Sequence, residues 1–575
     1  MGTRSEWIID KSEAVASDGM VTSMHPLAAE AGAEMLRRGG NAIDAAVATA
    51  FAVGVVEPFM SGVGGIAFLV FRDAATGETV CFDGSTVLPN ATREDQFELL
   101  DPSMRAGMYS WRATKDDQNR TGWLAPGVPG MPSVMGEAHR RFGRLPWREL
   151  LQPAIQLAER GFLIDHYGAL ATATQMDRLH RFPESKRTFF RSGGWPYSPI
   201  GGVPGGESID RLTQPDLART LTLIAEQGPE VVYTGEVARL IVEDMARNGG
   251  LITEEDLAAH QTFVSDAAVL DYRDVQLLCL LQNTGNPTVV EALRILEGFE
   301  LTRLGFQSTT AMHLIIEAIR LAFIDRLQYL GDASLMPVPL EGIVSRDYAG
   351  VRRGDLDPQR ANPQAGPGDP WPFDPGAATR FERSSVSGDG NTTHINVVDK
   401  DRNMVSLTST LGELYGSAVT IAGTGIVLNN ATTWFDPEPG SVNSVGPGKR
   451  VMSAAAPFLL LRDGLPFAAV GSPGGRKVIS AVAQIIINLT DFHRPMQQSI
   501  SAPRAHSEGP ITEISTRFPP ELIDALAAMG HEIARRDDNL ASAFFARPSG
   551  IRVNQEEGTL HGGVFQYTPA TAIGV

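Results

Sequence analysis

Asn391-Thr392-Thr393-His394 is the stretch of this sequence that could do chemistry with the least help from elsewhere. A cut before Thr392 leaves a hydroxyl nucleophile and a free α-amine on one residue, and the amine takes the hydroxyl's proton as it attacks a carbonyl. Nucleophile and base are then supplied together. A Thr-Thr pair by itself is as readily part of a strand or turn, so the surroundings decide. Downstream, Gly471-Ser472-Pro473-Gly474-Gly475-Arg476-Lys477 lies between a predicted strand and a predicted helix. Its adjacent glycines leave backbone N–H groups free at a helix N-terminus, which is how an oxyanion hole is built. The same residues also read as a phosphate cradle with Arg476 and Lys477 as its cations, or as a tight loop.

The elements that must position these residues are legible in outline. His394 to Val398, the turn 399–403 and Met404 to Thr410 predict a hairpin, and Phe458 to Leu461 with Pro466 to Val470 predict another. Lys477 to Leu489 has the spacing of an amphipathic helix, with Val478, Val482, Ile485, Ile486 and Leu489 on one side. Near the start, Pro26 to Arg38 predicts a helix stopped by Gly39-Gly40, and Ala42 to Val55 one that is apolar nearly all round and hence central. The glycines of 61–65 read as tight backbone packing ahead of a buried strand. From Leu145 to Ala333 the pattern is mainly helical, with 147–159, 216–227, 235–248 and 310–329 the best-marked helices, and His313 reads as a core or surface side chain. Residues 354–380, rich in Pro, Gly and Asp, form the clearest boundary in the chain.

The 575 residues exceed one ordinary core and suggest two or more lobes. A hydrophobic fraction of 43% with 20% charged residues is that of a globular protein. The net charge of −18 excludes a general nucleic-acid binder, which needs a basic face. Cys81 and Cys279 form neither a disulfide framework nor a metal-type spacing, and both are expected to be reduced core residues. No metal cluster or nucleotide motif appears, so no cofactor is expected. The N-terminal residues lack a secretory pattern and no apolar run is long enough for a bilayer, so the expected setting is cytoplasmic, without a membrane partner.

Several blocks then fall in one order: GGNAIDAAV at 39–47, NGGLITEEDLA at 248–258, DR at 325–326 with YLGD at 329–332, TTH at 392–394, LNN at 428–430, GPGKR at 446–450 and GSPGG at 471–475. Over almost the whole chain they resemble the γ-glutamyltranspeptidase family of self-cleaving N-terminal-nucleophile (Ntn) hydrolases. The resemblance implies an α/β fold, a four-layer αββα sandwich. It also implies autocatalytic cleavage between Asn391 and Thr392. The products would be a large segment, 1–391, whose Pro/Gly-rich end 354–391 is mobile, and a small segment, 392–575. The two would share one intertwined core as a heterodimer, which could pair again. By matching positions, Thr392 is the nucleophile, Thr410 its supporting threonine, and Gly474 and Gly475 the oxyanion donors. Without the resemblance, Thr410 is simply a β-branched strand residue.

At the substrate pocket the sequence departs from the family. Members that bind a γ-glutamyl group hold its α-carboxylate with an arginine where this chain has Ser85. They hold the α-amine with side chains where it has Gly412, Ala431 and Trp434. Of two serines that assist, Ser453 remains and the second is Ala454. Trp434 reads either as an aromatic wall for an apolar or planar acyl group or as a packing residue. Glu413 reads as a substitute amine-binding carboxylate or, more simply, as a solvated turn residue. The expected activity is amide hydrolysis or acyl transfer on a small-molecule acyl substrate other than γ-glutamyl. The alternatives are conventional glutathione hydrolysis, cleavage of a carbon–carbon bond beside an activated carbonyl, and a non-catalytic binding protein on the same fold.

Overall fold

Two seven-stranded antiparallel sheets lie face to face, and the chain on either side of Thr392 supplies strands to both. The computed structural model describes residues 9–107, 110–200, 209–375, 391–440, 443–540 and 542–575. In the first sheet the order is Thr571–Gly574, Met20–Ser23, Asn391–Val398, Met404–Gly412, Ile66–Arg72, Thr79–Gly84, Phe263–Asp266. The second runs Ala14–Ala16, Thr559–Val564, Ser549–Asn554, Leu465–Gly471, Phe458–Arg462, Val275–Cys279, Ala268–Tyr272.

Period-two alternation divides each strand between two cores. Leu69, Phe71, Ile395, Val397, Val405 and Leu407 face a helical layer that includes Pro26–Arg37, Ala42–Val56 and Trp147–Arg160. Phe68, Val70, Val398 and Met404 meet Leu459, Leu461, Ala469 and Ile551 between the sheets. Leu277, Phe458, Leu460 and Val470 face the outer helices Asn286–Leu296, Thr309–Tyr329 and Lys477–Thr490. Three stacked cores make four layers, the αββα arrangement.

Helix Ala42–Val56 is buried along its whole length and packs against the hairpin that carries Thr392. Asn41 and Asp44 close its N-terminus in a reciprocal capping box. Pro58 follows its C-cap and prevents continuation, which leaves the Glu57 carboxyl inside the protein, 1% exposed. Gly65 bears out the expected backbone packing: a Cβ there would stand 2.6 Å from the Thr410 carbonyl oxygen.

Three expectations change. The region 145–333 is not mainly helical throughout, because Phe263–Asp266 and Ala268–Tyr272 are edge strands and Val275–Cys279 the strand next to an edge, each too short to set a clear period. Helix Lys477–Thr490 is not half-solvated; all its residues are buried beneath neighbouring elements. Within 354–391, residues up to 375 are fastened to the outer helical layer: Ala361 N–H donates to the Met529 carbonyl (2.8 Å) and Gly368 N–H to Asp325 (2.9 Å). Residues 376–390 of the expected tail lie outside the described residues. Cys81 and Cys279 are both buried and unpaired, and burial pushes the Cys81 thiol up to about 12. His313 is a core residue, bonded to His531 at 2.8 Å. Among the described residues no helix is long and apolar enough to cross a membrane.

Substituting Gly65→Ala is expected to push on the strand that supports Thr410 and to cost about 1–3 kcal/mol, the usual range for overpacking. Urea denaturation monitored by tryptophan fluorescence measures it.

Candidate active site

Thr392 is 8% exposed and begins the buried part of its strand. Pairing slips between Asn391, opposite Gly412, and Thr393, opposite Ser409, so Thr392 faces two residues, Thr410 and Leu411. This bulge re-aims the side chain at the strand end. Thr392 Oγ1 lies 3.5 Å from Thr410 Oγ1, and Thr410 Oγ1 accepts the Gly412 N–H at 2.8 Å. The structure therefore brings the expected nucleophile and its support together.

Below Thr392 the inter-sheet face carries a polar spine. His394 Nδ1 is bonded to Thr408 Oγ1 (2.9 Å) and Nε2 to Asn396 Oδ1 (3.0 Å). Asn396 Nδ2 donates to Thr22 Oγ1 (3.1 Å) and, on the other sheet, to Ser549 Oγ (3.2 Å). Burial pushes His394 down to about 4, so the imidazole is neutral and serves as a prop between the sheets.

The opposite face meets Glu57, whose Oε2 accepts the Thr393 hydroxyl at 3.5 Å. Burial pushes this carboxyl up to about 7, against the opposing pull of Arg547 and His25. Gly474 and Gly475 both hold positive φ, 138° and 60°, in the loop after Leu465–Gly471. A Cβ on Gly474 would meet Ala546 Cα at 2.6 Å, so the loop is pressed against the chain at 546. Arg547 joins the two halves of the site: its N–H donates to the Pro473 carbonyl and its Nη2 to the Thr392 carbonyl, each at 2.9 Å. The cations of a phosphate cradle are engaged elsewhere, Arg476 with Glu508 (2.8 Å) and Lys477 with Glu513 (3.6 Å).

Of the expected pocket residues, Ser85 is buried and its Oγ has no hydrogen-bond partner among the described residues, while its N–H donates to Asp83 at 2.7 Å. Asn283 links that aspartate to Ser453, through Nδ2 to Asp83 (3.0 Å) and its carbonyl to the Ser453 N–H (2.9 Å). Ala454 is also buried, next to Gly285. Gly412 holds φ +100°, and a Cβ there would stand 2.2 Å from Asn430 Oδ1 and 3.1 Å from the Trp434 ring. Trp434 thus closes over Gly412 while the rest of its ring packs with Phe97, Trp111 and Phe435 between the sheets. Ala431 is fully buried in that cluster. Glu413 corrects the expectation of a solvated turn residue. It is 7% exposed and ion-paired with Arg120 (3.0 Å), which closes on it from a distant loop.

The family model described as gamma-glutamyltranspeptidase matches residues 28–564. The chain belongs to this family. It is similar to the acylase ACY 1 proenzyme of Pseudomonas sp. (strain SE83), 36% identical over 536 residues, 92% of this chain and 90% of that one. It is also similar to the glutathione hydrolase proenzyme of Bacillus subtilis (strain 168), 33% identical over 568 residues, 98% of this chain and 92% of that one. Its fold matches a crystal structure of cephalosporin acylase from Bacillus halodurans with a TM-score of 0.85 at 28% identity, covering 100% of this chain and 99% of that one. As a gamma-glutamyltranspeptidase family member it is an Ntn hydrolase, a self-processing enzyme of the amidohydrolase and acyltransferase class.

Sequence reading missed Arg547, Glu57 and Arg120, and gave Asn430 no role beyond its block LNN. A carboxylate ending a wholly apolar helix was the available sign for Glu57; Arg547 and Arg120 reach the site from remote loops and carry no local pattern.

Glu57 makes a pH prediction. Its folded pKa stands above the unfolded value, so its contribution is full below about pH 4.3 and is lost as pH rises through about 7. The stability of the wild type relative to Glu57→Gln is expected to fall by about 1–3 kcal/mol between pH 4.5 and 8, measured by urea unfolding of both proteins.

Proposed function

We propose that Thr392 is both the self-cutting residue and the acyl carrier, and that the acyl group it carries is not γ-glutamyl. In the uncut chain Thr392 Oγ attacks the Asn391 carbonyl carbon, the C–N bond breaks, and the departing nitrogen gains the proton. Water then hydrolyses the resulting ester, leaving a carboxylate on Asn391 and a free amine on Thr392. In turnover the amine accepts the hydroxyl proton as Oγ attacks the substrate carbonyl. The N–H groups of Gly474 and Gly475 receive the oxyanion, the leaving amine takes the proton, and water or a second amine releases the acyl group. The Thr410 hydroxyl orients Oγ. The two products of the cut, 1–391 and 392–575, remain one heterodimer.

The observation that carries the substrate reading is that Ser85 and Gly412 bring no charged group of their own to the pocket. Ser85 offers a buried hydroxyl where an α-carboxylate would need a cation, and the Gly412 position is already filled by Asn430 and Trp434. Each charge-assisted hydrogen bond contributes about 1.5–3 kcal/mol, so a glutamyl zwitterion loses much of its binding here. The acylase relative and the cephalosporin acylase fold support an acyl amide lacking the zwitterion.

Purified protein on a denaturing gel is expected to split into two fragments near residue 391, whereas Thr392→Ala stays at 61.8 kDa. A persistently whole wild-type chain would point instead to a binding protein. A panel of p-nitroanilides bearing γ-glutamyl, glutaryl and simple aliphatic acyl groups tests the pocket, with mass spectrometry of the Thr392 peptide to identify the adduct. A non-glutamyl acyl group is expected to be preferred by at least about tenfold, roughly 1.4 kcal/mol. γ-Glutamyl turning over fastest, with Ser85→Arg unchanged, would overturn the substrate reading in favour of a conventional glutathione hydrolase.

A further inference from the structure

Arg547 is 2% exposed and meets the reaction centre from a strained turn. Its Nη2 donates to the Thr392 carbonyl at 2.9 Å and lies 3.2 Å from Met60 Sδ, and its guanidinium stands 5.1 Å from the Tyr167 ring centre. Nη1 is buried with no hydrogen-bond acceptor among the described residues within the usual distance. The preceding residue, Ala546, holds φ +67°, a conformation that non-glycine residues keep only where their surroundings enforce it. Two bonds enforce it here: Arg504 Nε to the Phe545 carbonyl (3.0 Å) on one side, and the Arg547 N–H to the Pro473 carbonyl (2.9 Å) on the other.

We infer that Arg547 is a positioning residue for the nucleophile. It fixes the Thr392 carbonyl against the oxyanion loop and, once the chain is cut, its charge holds the α-amine on that residue in the neutral form that can take a proton. The inference rests on the reading of Thr392 as nucleophile. The amine nitrogen and carbonyl oxygen of one residue are about 3 Å apart, so a guanidinium bonded to the oxygen stands within about 6 Å of the nitrogen. An ammonium so close to a second fixed cation is disfavoured, and only the free amine can act as base.

The other charged groups around Arg547 set the size of the effect. Glu57 at the end of the central helix supplies the counter-charge, and burial, which pushes it up to about 7, keeps that charge incomplete below neutrality. From the neighbouring helix His166–Thr174 come Tyr167, whose phenol is raised by burial, and the capping Asp165. Asp165 faces His25 at 3.4 Å, and despite its burial His25 and the Gly168 N–H hold it below the usual carboxylate range. His166 lies beside Asp165 on the same helix.

The test is the pH dependence of the p-nitrophenol burst from p-nitrophenyl acetate, after melting temperature and self-cutting have been checked for each variant. Arg547→Gln is expected to move the acidic limb up by about one pH unit, and Arg547→Lys to return it most of the way. Glu57→Gln, which removes the counter-charge and keeps the guanidinium, is expected to move the limb down, and decides the matter if Arg547→Gln does not fold. If Arg547→Gln folds but stays uncut while Arg547→Lys cuts itself, the carbonyl-fixing role is upheld. A limb unmoved in Arg547→Gln, displaced equally in Arg547→Lys, or unmoved in Glu57→Gln overturns the inference, as does failure of both folded Arg547 variants to cut. A full burst in Thr392→Ala would strike the nucleophile assignment instead; its loss there with an unmoved Arg547→Gln limb removes only the role of Arg547.

Discussion

Thr392 is mounted near the start of a strand that is paired along its length with Met404–Gly412, is paired on its other edge with Met20–Ser23 at residues 396–398, and is covered on both faces. Its neighbours are Met20–Ser23 and Met404–Gly412, with the helix Ala42–Val56 over one face and the second sheet over the other. This confinement suits the N-terminal nucleophile proposed above, because after such a cut nothing upstream would hold it. The spine from His394 through Asn396 and Thr22 to Ser549 locks the two sheets at one mutual offset. Thr410, the Gly65 loop and the Pro473–Gly475 loop are then all placed relative to one rigid object. Fixed geometry of this kind replaces the entropy that a free reaction would lose on bringing its groups together.

The parts of the fold that could be read in advance are those with local rules. The hairpin around 399–403, the wholly apolar helix and the longer amphipathic helices have periods that a dozen residues suffice to establish. The strands between Phe263 and Cys279 are four or five residues each, and their partners, Thr79–Gly84 and Phe458–Arg462, are far away in sequence. Their identity is a property of the assembled sheets. The same division holds at the site. Thr392, Thr410 and the glycine pair belong to motifs. Arg547 acts on a residue 155 positions away, and Arg120 on one 293 positions away.

Matching a position to a family residue locates its Cα and leaves open what the side chain meets. Ala431 and Glu413 illustrate the gap. Ala431, which the resemblance puts at a substrate-binding place, is sealed in an apolar cluster, while Glu413, which it puts beside an amine-binding one, is satisfied by the protein's own Arg120. At Gly412 the space for a side chain is taken by Asn430 and Trp434. A side chain added at Gly412 alone would collide with Asn430 and Trp434, so these positions are coupled.

The interleaving of the two sheets has a consequence for the life of the protein. Strands from before and after Thr392 are interleaved in the first sheet, and each sheet closes only with contributions from both parts. As one chain, the precursor folds with its halves tethered, at a rate independent of how dilute it is. Under the proposed cut before Thr392, the halves must find each other again if they ever separate, each exposing half a core meanwhile. The finished enzyme is therefore assembled along a route it cannot retrace, and its endurance is set by how slowly it opens, more than by any equilibrium between folded and unfolded forms.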